Sequence, residues 1–97
     1  MLLMVIERFH DANPDPVGER FRARGRLIPA DSSVEFIASW MARDGSHCYQ
    51  LMEAPSRESL DPWLANWSDL VDFEVIEVTT GADFWASRIA TSDWPSS

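Results

Sequence analysis

The sequence predicts an α+β fold: one four-stranded antiparallel sheet with two helices on one of its faces. Three observations lead there. Residues Leu2 to Ile6 read Leu-Leu-Met-Val-Ile without a polar break, which suits a strand covered on both sides. Strand-like runs and helix-spaced apolar residues then succeed one another in the order β-α-β-β-α-β. The chain has 97 residues, enough for one domain and one core.

The first strand is expected from Leu2 to Phe9. The Asp11-Ala-Asn-Pro-Asp-Pro stretch is a loop ending in a helix start, with Asp15 as the cap and Pro16 in the first helical position, where a missing N–H costs nothing. Val17, Phe21 and Ile28 supply the apolar stripe, and Gly25 is placed to end the helix in a left-handed conformation. A loop through Pro29 and Asp31-Ser-Ser leads to strand two, Val34 to Ala42. Asp44-Gly45 between two strand-like runs signals a hairpin into strand three, His47 to Glu53.

Ala54-Pro55 ends strand three, and Ser56 is a cap for the second helical stretch. Leu60, Trp63, Leu64 and Trp67 recur there at helical spacing. A proline inside a helix costs ~3 kcal/mol, so Pro62 predicts a loose turn over residues 57–60 and a fresh helix start at Asp61-Pro62. Strand four is expected from Val71 to Thr79. After Gly81, Ala82 to Ala90 reads as a short helix carrying Phe84 and Trp85. One ferredoxin-like domain thus spans residues 1–90, and residues 91–97 form a flexible tail anchored only by Trp94.

Right-handed crossovers put strands one and three in the centre and two and four at the edges, the ferredoxin-like βαββαβ arrangement. The period of two sorts the faces. Leu2, Met4, Ile6, Val34, Phe36, Ala38, Tyr49, Leu51, Val71, Phe73 and Val75 form an almost purely apolar set, expected under the helices. Leu3, Val5, Glu7, Ile37, Ser39, Met41, Cys48, Gln50, Met52, Glu74, Ile76 and Val78 form the opposite set, apolar with embedded polar groups. One helical layer covers one face, so the mixed face is expected to meet a second copy of the chain, with a small polar cavity between the two sheets.

Composition excludes several classes. Sixteen acidic residues against eight arginines, with no lysine, give a net charge of −8, which argues against nucleic acid or an anionic membrane as partner. Cys48 is the single cysteine, so no intrachain disulfide is possible, and a lone thiol fits a cytoplasmic location. The apolar start stops at Glu7 with no basic region before it, unlike a secretion signal. His47 and Cys48 are neighbours on one strand and face opposite ways, so no metal site and no cofactor is expected. Cys48 reads as a small hydrophobe rather than a nucleophile.

Glu7 and Gln50 are the most informative polar pair, one on each central strand. A carboxylate there must be hydrogen-bonded, hydrated or protonated. A structural hydrogen bond to Gln50 is the plainer account; a ligand-orienting carboxylate or general base with a raised pKa is the functional one. Ser39 shares their face. Arg20, Arg22, Arg24 and Arg26 place four positive charges near a helix C-terminus, where cations complement the dipole. Arg26, just past Gly25, is the member singled out for a specific role. Glu7, Ser39, Gln50 and Arg26 are therefore the candidate ligand-binding residues, and no catalytic set is identifiable. Trp40, Trp63, Trp67, Phe73 and Trp85 read as core, with Trp63 and Trp67 as the lid over the sheet.

Met1-Leu-Leu-Met-Val-Ile-Glu-Arg-Phe, Gly25-Arg26, Ser39-Trp40, Cys48-Tyr-Gln-Leu-Met-Glu53 and Trp67-Ser-Asp-Leu-Val-Asp-Phe-Glu74 resemble a family of short bacterial proteins classed as a domain of unknown function. The resemblance covers roughly residues 1–86 and implies a dimeric α/β barrel of the kind shared with small monooxygenases; it implies no activity. Three readings are open: a homodimer binding a small molecule between its sheets, a cofactor-free monooxygenase or isomerase, or a purely structural dimer.

Overall fold

The computed structural model describes residues 1–88. Its elements run β1 (Leu2–Phe9), a 3-10 turn (His10–Ala12), α1 (Asp15–Arg24), β2 (Glu35–Met41), β3 (His47–Glu53), a second 3-10 turn (Arg57–Leu60), α2 (Asp61–Ala65), β4 (Val71–Glu77) and α3 (Gly81–Arg88). The expected tail at 91–97, with Trp94 and the end of the last helix at Ala90, lies outside the described residues.

Four strands form one antiparallel sheet in the order β2-β3-β1-β4. The strands expected in the middle, β1 and β3, are central, as the crossover argument requires. Glu7 stands opposite Cys48 on β3 and Phe73 on β4; Val5 stands opposite Gln50 and Val75. Directly opposed residues share a face, so this register decides which side chains meet the helices.

Local chemistry explains the element ends. The Asp15 N–H donates to Asn13 Oδ1 at 3.1 Å, so Asn13 makes the bond expected of Asp15, and Pro16 occupies the first turn of α1. Gly25 closes α1 at φ 71°, its N–H donating to the Phe21 carbonyl at 2.7 Å. Pro62 divides the second helical stretch as predicted: a 3-10 turn over 57–60, capped by Ser56, runs into a short helix starting at Asp61. Gly45, at φ 77°, turns the β2–β3 hairpin.

The core lies between the sheet and the α2 segment. Leu3, Val5, Met52, Leu60, Trp63 and Val71 are almost wholly buried, joined by Val34, Ala54, Trp67 and Val75. This corrects the face assignment on three strands. Leu3, Val5 and Glu7 of β1, Ser39 and Met41 of β2, and Cys48, Gln50 and Met52 of β3 lie on the helix side. Leu2, Met4, Ile6, Ala38, Tyr49 and Leu51 lie on the other face. Val34, Phe36 and the β4 residues Val71, Phe73 and Val75 keep their expected side under the helices, and Ile37, Glu74 and Ile76 keep theirs on the opposite face.

Two causes account for the inversion. On β1 both period-two sets are apolar, so alternation alone cannot choose between them. On β2 the register shifts between Phe36 and Ala38, so Phe36 and Ser39 share a face where strict alternation pairs Phe36 with Ala38. The opposite face is left partly exposed, with Ile37, Trp40 and Ile76 each more than two-fifths accessible.

Candidate functional site

A cavity of about 710 Å³ opens between α1 and the sheet. Its floor is the polar part of the inner face: Glu7 on β1, Cys48 and Gln50 on β3, Ser39 and Met41 on β2. Trp63 and Trp67 close one side, while Val17, Phe21 and Arg22 of α1 line the roof. The four residues singled out from sequence, Glu7, Ser39, Gln50 and Arg26, all line this one cavity. It lies within a single chain, under α1, rather than on the face left open to a partner.

Glu7 and Gln50 are buried together, and the Gln50 Nε2 amide donates to Glu7 Oε2. Gln50 Oε1 in turn accepts from Arg26 Nε at 3.3 Å, so the amide relays between a carboxyl and a guanidinium. Burial pushes the Glu7 carboxyl up to about 7, against the lowering effects of the Gln50 bond and the Arg26 charge. Cys48, across the strand from Glu7, is pushed up to about 11 by burial and then by the Glu7 charge, with Arg26 pulling weakly the other way. Its thiol stays protonated at neutral pH and is a poor nucleophile.

Arg26 owes its place to an unusual stretch of backbone. Gly25 and then Leu27 take positive φ, 71° and 61°, so the chain kinks on both sides of it. A left-handed leucine costs roughly 1–2 kcal/mol and persists only where its surroundings hold it. Here three side chains do so: Trp63 Nε1 and Trp67 Nε1 both donate to the Arg26 carbonyl, at 2.9 and 2.8 Å, and Asn66 Nδ2 donates to the Leu27 carbonyl at 2.9 Å. The kink turns the Arg26 side chain into the cavity, where its guanidinium carbon lies 3.5 Å from the Phe36 ring centre and 5.1 Å from that of Phe21.

The other arginines divide. Arg20 makes a two-pronged ion pair with Asp69 at 2.8 and 2.7 Å and also donates to the Asn66 carbonyl at 2.9 Å. Arg22 lines the cavity mouth and Arg24 is exposed. Sequence reading missed Phe21 and Phe36 as partners of Arg26; aromatic residues flanking an arginine in sequence carry no mark of stacking, and only the Gly25 kink hints at it. It did place Trp63 and Trp67 together as a lid, but not the indole bonds that fix Arg26.

His47 and Cys48 do face opposite ways: His47 stacks on Tyr49 at a 6.3 Å centroid separation on the open face, and Cys48 lines the cavity. No group of three His, Cys, Asp or Glu among the described residues is arranged to hold a metal ion. No helix among them is long and apolar enough to cross a membrane.

The arrangement can seat a molecule with an apolar body on the aromatic walls and one polar end at the Glu7–Gln50–Arg26 relay. No curated protein and no solved structure matches the chain. The family described as a domain of unknown function, DUF3303, matches residues 1–88. A match over nearly the whole chain settles membership: the protein belongs to the DUF3303 family.

Proposed function

We propose that the protein is a cytoplasmic homodimer that binds a small, largely apolar molecule in the cavity between α1 and the sheet. The observation that carries the binding reading is the relay of buried Glu7 and Gln50 to half-buried Arg26 in an aromatic cavity of about 710 Å³. Ligand sites are typically apolar hollows of this size with a few convergent polar groups. A buried ionisable carboxyl with no ligand to serve is an expensive feature for a small domain.

The dimer reading rests on the other face. Leu2, Met4, Ile6, Trp40, Tyr49, Leu51 and Ile76 form a continuous apolar surface on the side of the sheet away from α1 and α2. A patch of that kind marks an interface. The order β2-β3-β1-β4, with both edge strands reached by helical connections, supports reading the sheet as ferredoxin-like. Two such sheets facing one another form the dimeric α/β barrel that the family resemblance implies.

A thermal-shift screen of small metabolites tests the binding reading, since a molecule that binds only the native state raises the melting temperature. Ligands that stabilise the native protein but not a variant with the cavity blocked, Gly18→Trp, support it; no stabiliser in a broad screen counts against it. Light scattering tests the dimer: twice the chain mass of 11.0 kDa is expected, reduced to the monomer by Ile6→Glu on the open face. A wild-type monomer at micromolar concentration overturns it.

One observation favours a second reading, a cofactor-free monooxygenase or isomerase. Glu7, at about 7, is poised as a general base near neutral pH. Turnover of a bound ligand that is lost in Glu7→Gln while binding persists distinguishes this enzyme from a binding protein. A dimer with no ligand and no turnover leaves the purely structural role.

A further inference from the structure

The cavity's polar end has a chemistry of its own, and the inference drawn from it rests on the binding reading above. Arg26 spends one N–H, that of Nε, on Gln50. Its guanidinium carbon lies 3.5 Å from the centre of the Phe36 ring, and its Nη1 and Nη2 groups have no hydrogen-bond partner among the described residues. A guanidinium fixed by stacking and by its Nε bond presents its two terminal nitrogens as a ready-made fork. Such a fork matches a planar pair of oxygens, which is the geometry of a carboxylate.

The other end of the cavity says what the carboxylate is attached to. Phe9, Val17, Phe21, Met41, Trp63 and Trp67 give walls that reward an aromatic or branched aliphatic body. The rim also carries Asp15 and Glu19 against Arg22. These acids disfavour a dianion such as a phosphate ester and leave room for a single negative charge seated deep on Arg26.

We infer that the cavity takes a small organic monocarboxylic acid with an apolar body, its carboxylate gripped by the Arg26 guanidinium and its body lying against Trp63, Trp67 and Phe21. Glu7 then faces a second carboxylate across Gln50. Two like charges so close are not both ionised in a buried site. The ligand enters with its charge, so Glu7 gives up its own by taking a proton from solvent.

The groups facing Glu7 are consistent with that exchange. They are Gln50 and Cys48 from β3, Phe73 from β4, Ser39 and Met41 from β2, Arg26 from the loop, and Asp15, Glu19 and Arg22 at the rim from α1. Cys48 stays neutral throughout the range in question. Binding is therefore coupled to uptake of one proton above the pH at which free Glu7 ionises. Affinity is level from just above the ligand's own carboxyl range up to about pH 7 and falls by up to about tenfold per pH unit above it.

The test is titration calorimetry of the full-length protein with phenylacetate, phenylacetamide and phenethylamine, three probes of one shape and three charges. Phenylacetate is expected to bind about tenfold or more tightly than the other two. In paired buffers of different ionisation enthalpy at pH 8, its binding should take up close to one proton. Arg26→Met keeps an apolar stem over Phe36 and leaves the backbone carbonyl that the two tryptophans hold, so the fold is expected to survive; acid selectivity should vanish. Glu7→Gln should still bind phenylacetate, with proton uptake and pH dependence gone.

Tighter binding of the amide or the amine overturns the carboxylate assignment while the cavity remains a binding site. Binding of none of the three at millimolar concentration overturns the assignment, and a metabolite screen that also finds no stabiliser overturns the cavity reading with it. Retained acid selectivity in Arg26→Met, with a native circular-dichroism spectrum, overturns the role given to Arg26.

Discussion

The two halves of the helical layer are built on opposite principles. The α2 half is closed: Leu60, Trp63 and Trp67 are 0%, 1% and 6% exposed and interlock with Leu3, Val5 and Met52 of the sheet. The α1 half is open: none of its residues is buried, Phe21 is 44% exposed, and a cavity separates the helix from the strands beneath. The short stretch from the 3-10 turn through the five-residue α2 to Trp67 thus holds more core than the ten residues of α1. The domain uses one half of the layer for stability and leaves the other half free to hold something.

Truncating the closed half should therefore cost the most. Leu60→Ala removes a fully buried side chain and is expected to destabilise by about 2–5 kcal/mol; Trp63→Ala loses its indole bond to Arg26 as well and should cost about 3–5 kcal/mol. Val17→Ala on α1, facing a cavity that already exists, should cost less than about 1 kcal/mol. Urea titrations of the three variants break the comparison if Val17→Ala proves as damaging as Leu60→Ala.

The next effect belongs to Glu7, on the floor between the two halves. Its carboxyl sits at about 7 in the folded chain against an ordinary 4.5. As pH rises through that window the unfolded chain releases the proton first, so folding becomes less favourable, and the loss levels off above about pH 7. The window corresponds to about 3 kcal/mol as an order of magnitude. Glu7→Gln keeps the shape without the charge, so it should match the wild type near pH 4.5 and exceed it by about 3 kcal/mol at pH 8. Melting curves of both proteins across that range check it; parallel curves mean that Glu7 is well solvated.

How much of this could be read before the structure is decided by the same physics. The element order, the break at Pro62, the central strands and the pairing of Glu7 with Gln50 are all local or topological signals, and they were legible. The choice of inner face was not. The ordinary rule turns a strand's polar residues outward, yet Glu7, Ser39 and Gln50 point inward, because Gln50 and Arg26 satisfy the carboxyl and a cavity leaves it room. The bulge between Phe36 and Ala38 hides the true phase of β2 as well. The kink at Leu27 leaves no compositional trace, and the stacking of Arg26 on Phe36 leaves none beyond Gly25, since the backbone that sets both is held by tryptophans nearly forty residues away in sequence.

The smallest effect concerns what ties the open half down. With no buried side chain, α1 relies on Arg20, whose fork to Asp69 and bond to the Asn66 carbonyl fasten the helix to the end of the closed half. The same bond holds the Asp69 carboxyl below its ordinary range. Exposed ion pairs add little to global stability, so Arg20→Ala should barely move the melting temperature. Its effect should be local: amides of α1 should exchange hydrogen faster than in the wild type, while those of β1 and β3 remain unchanged, because the helix opens without unfolding the sheet. Uniformly faster exchange across the sheet would show instead that α1 is part of the cooperative core, and that the two halves of the layer are less separate than their burial suggests.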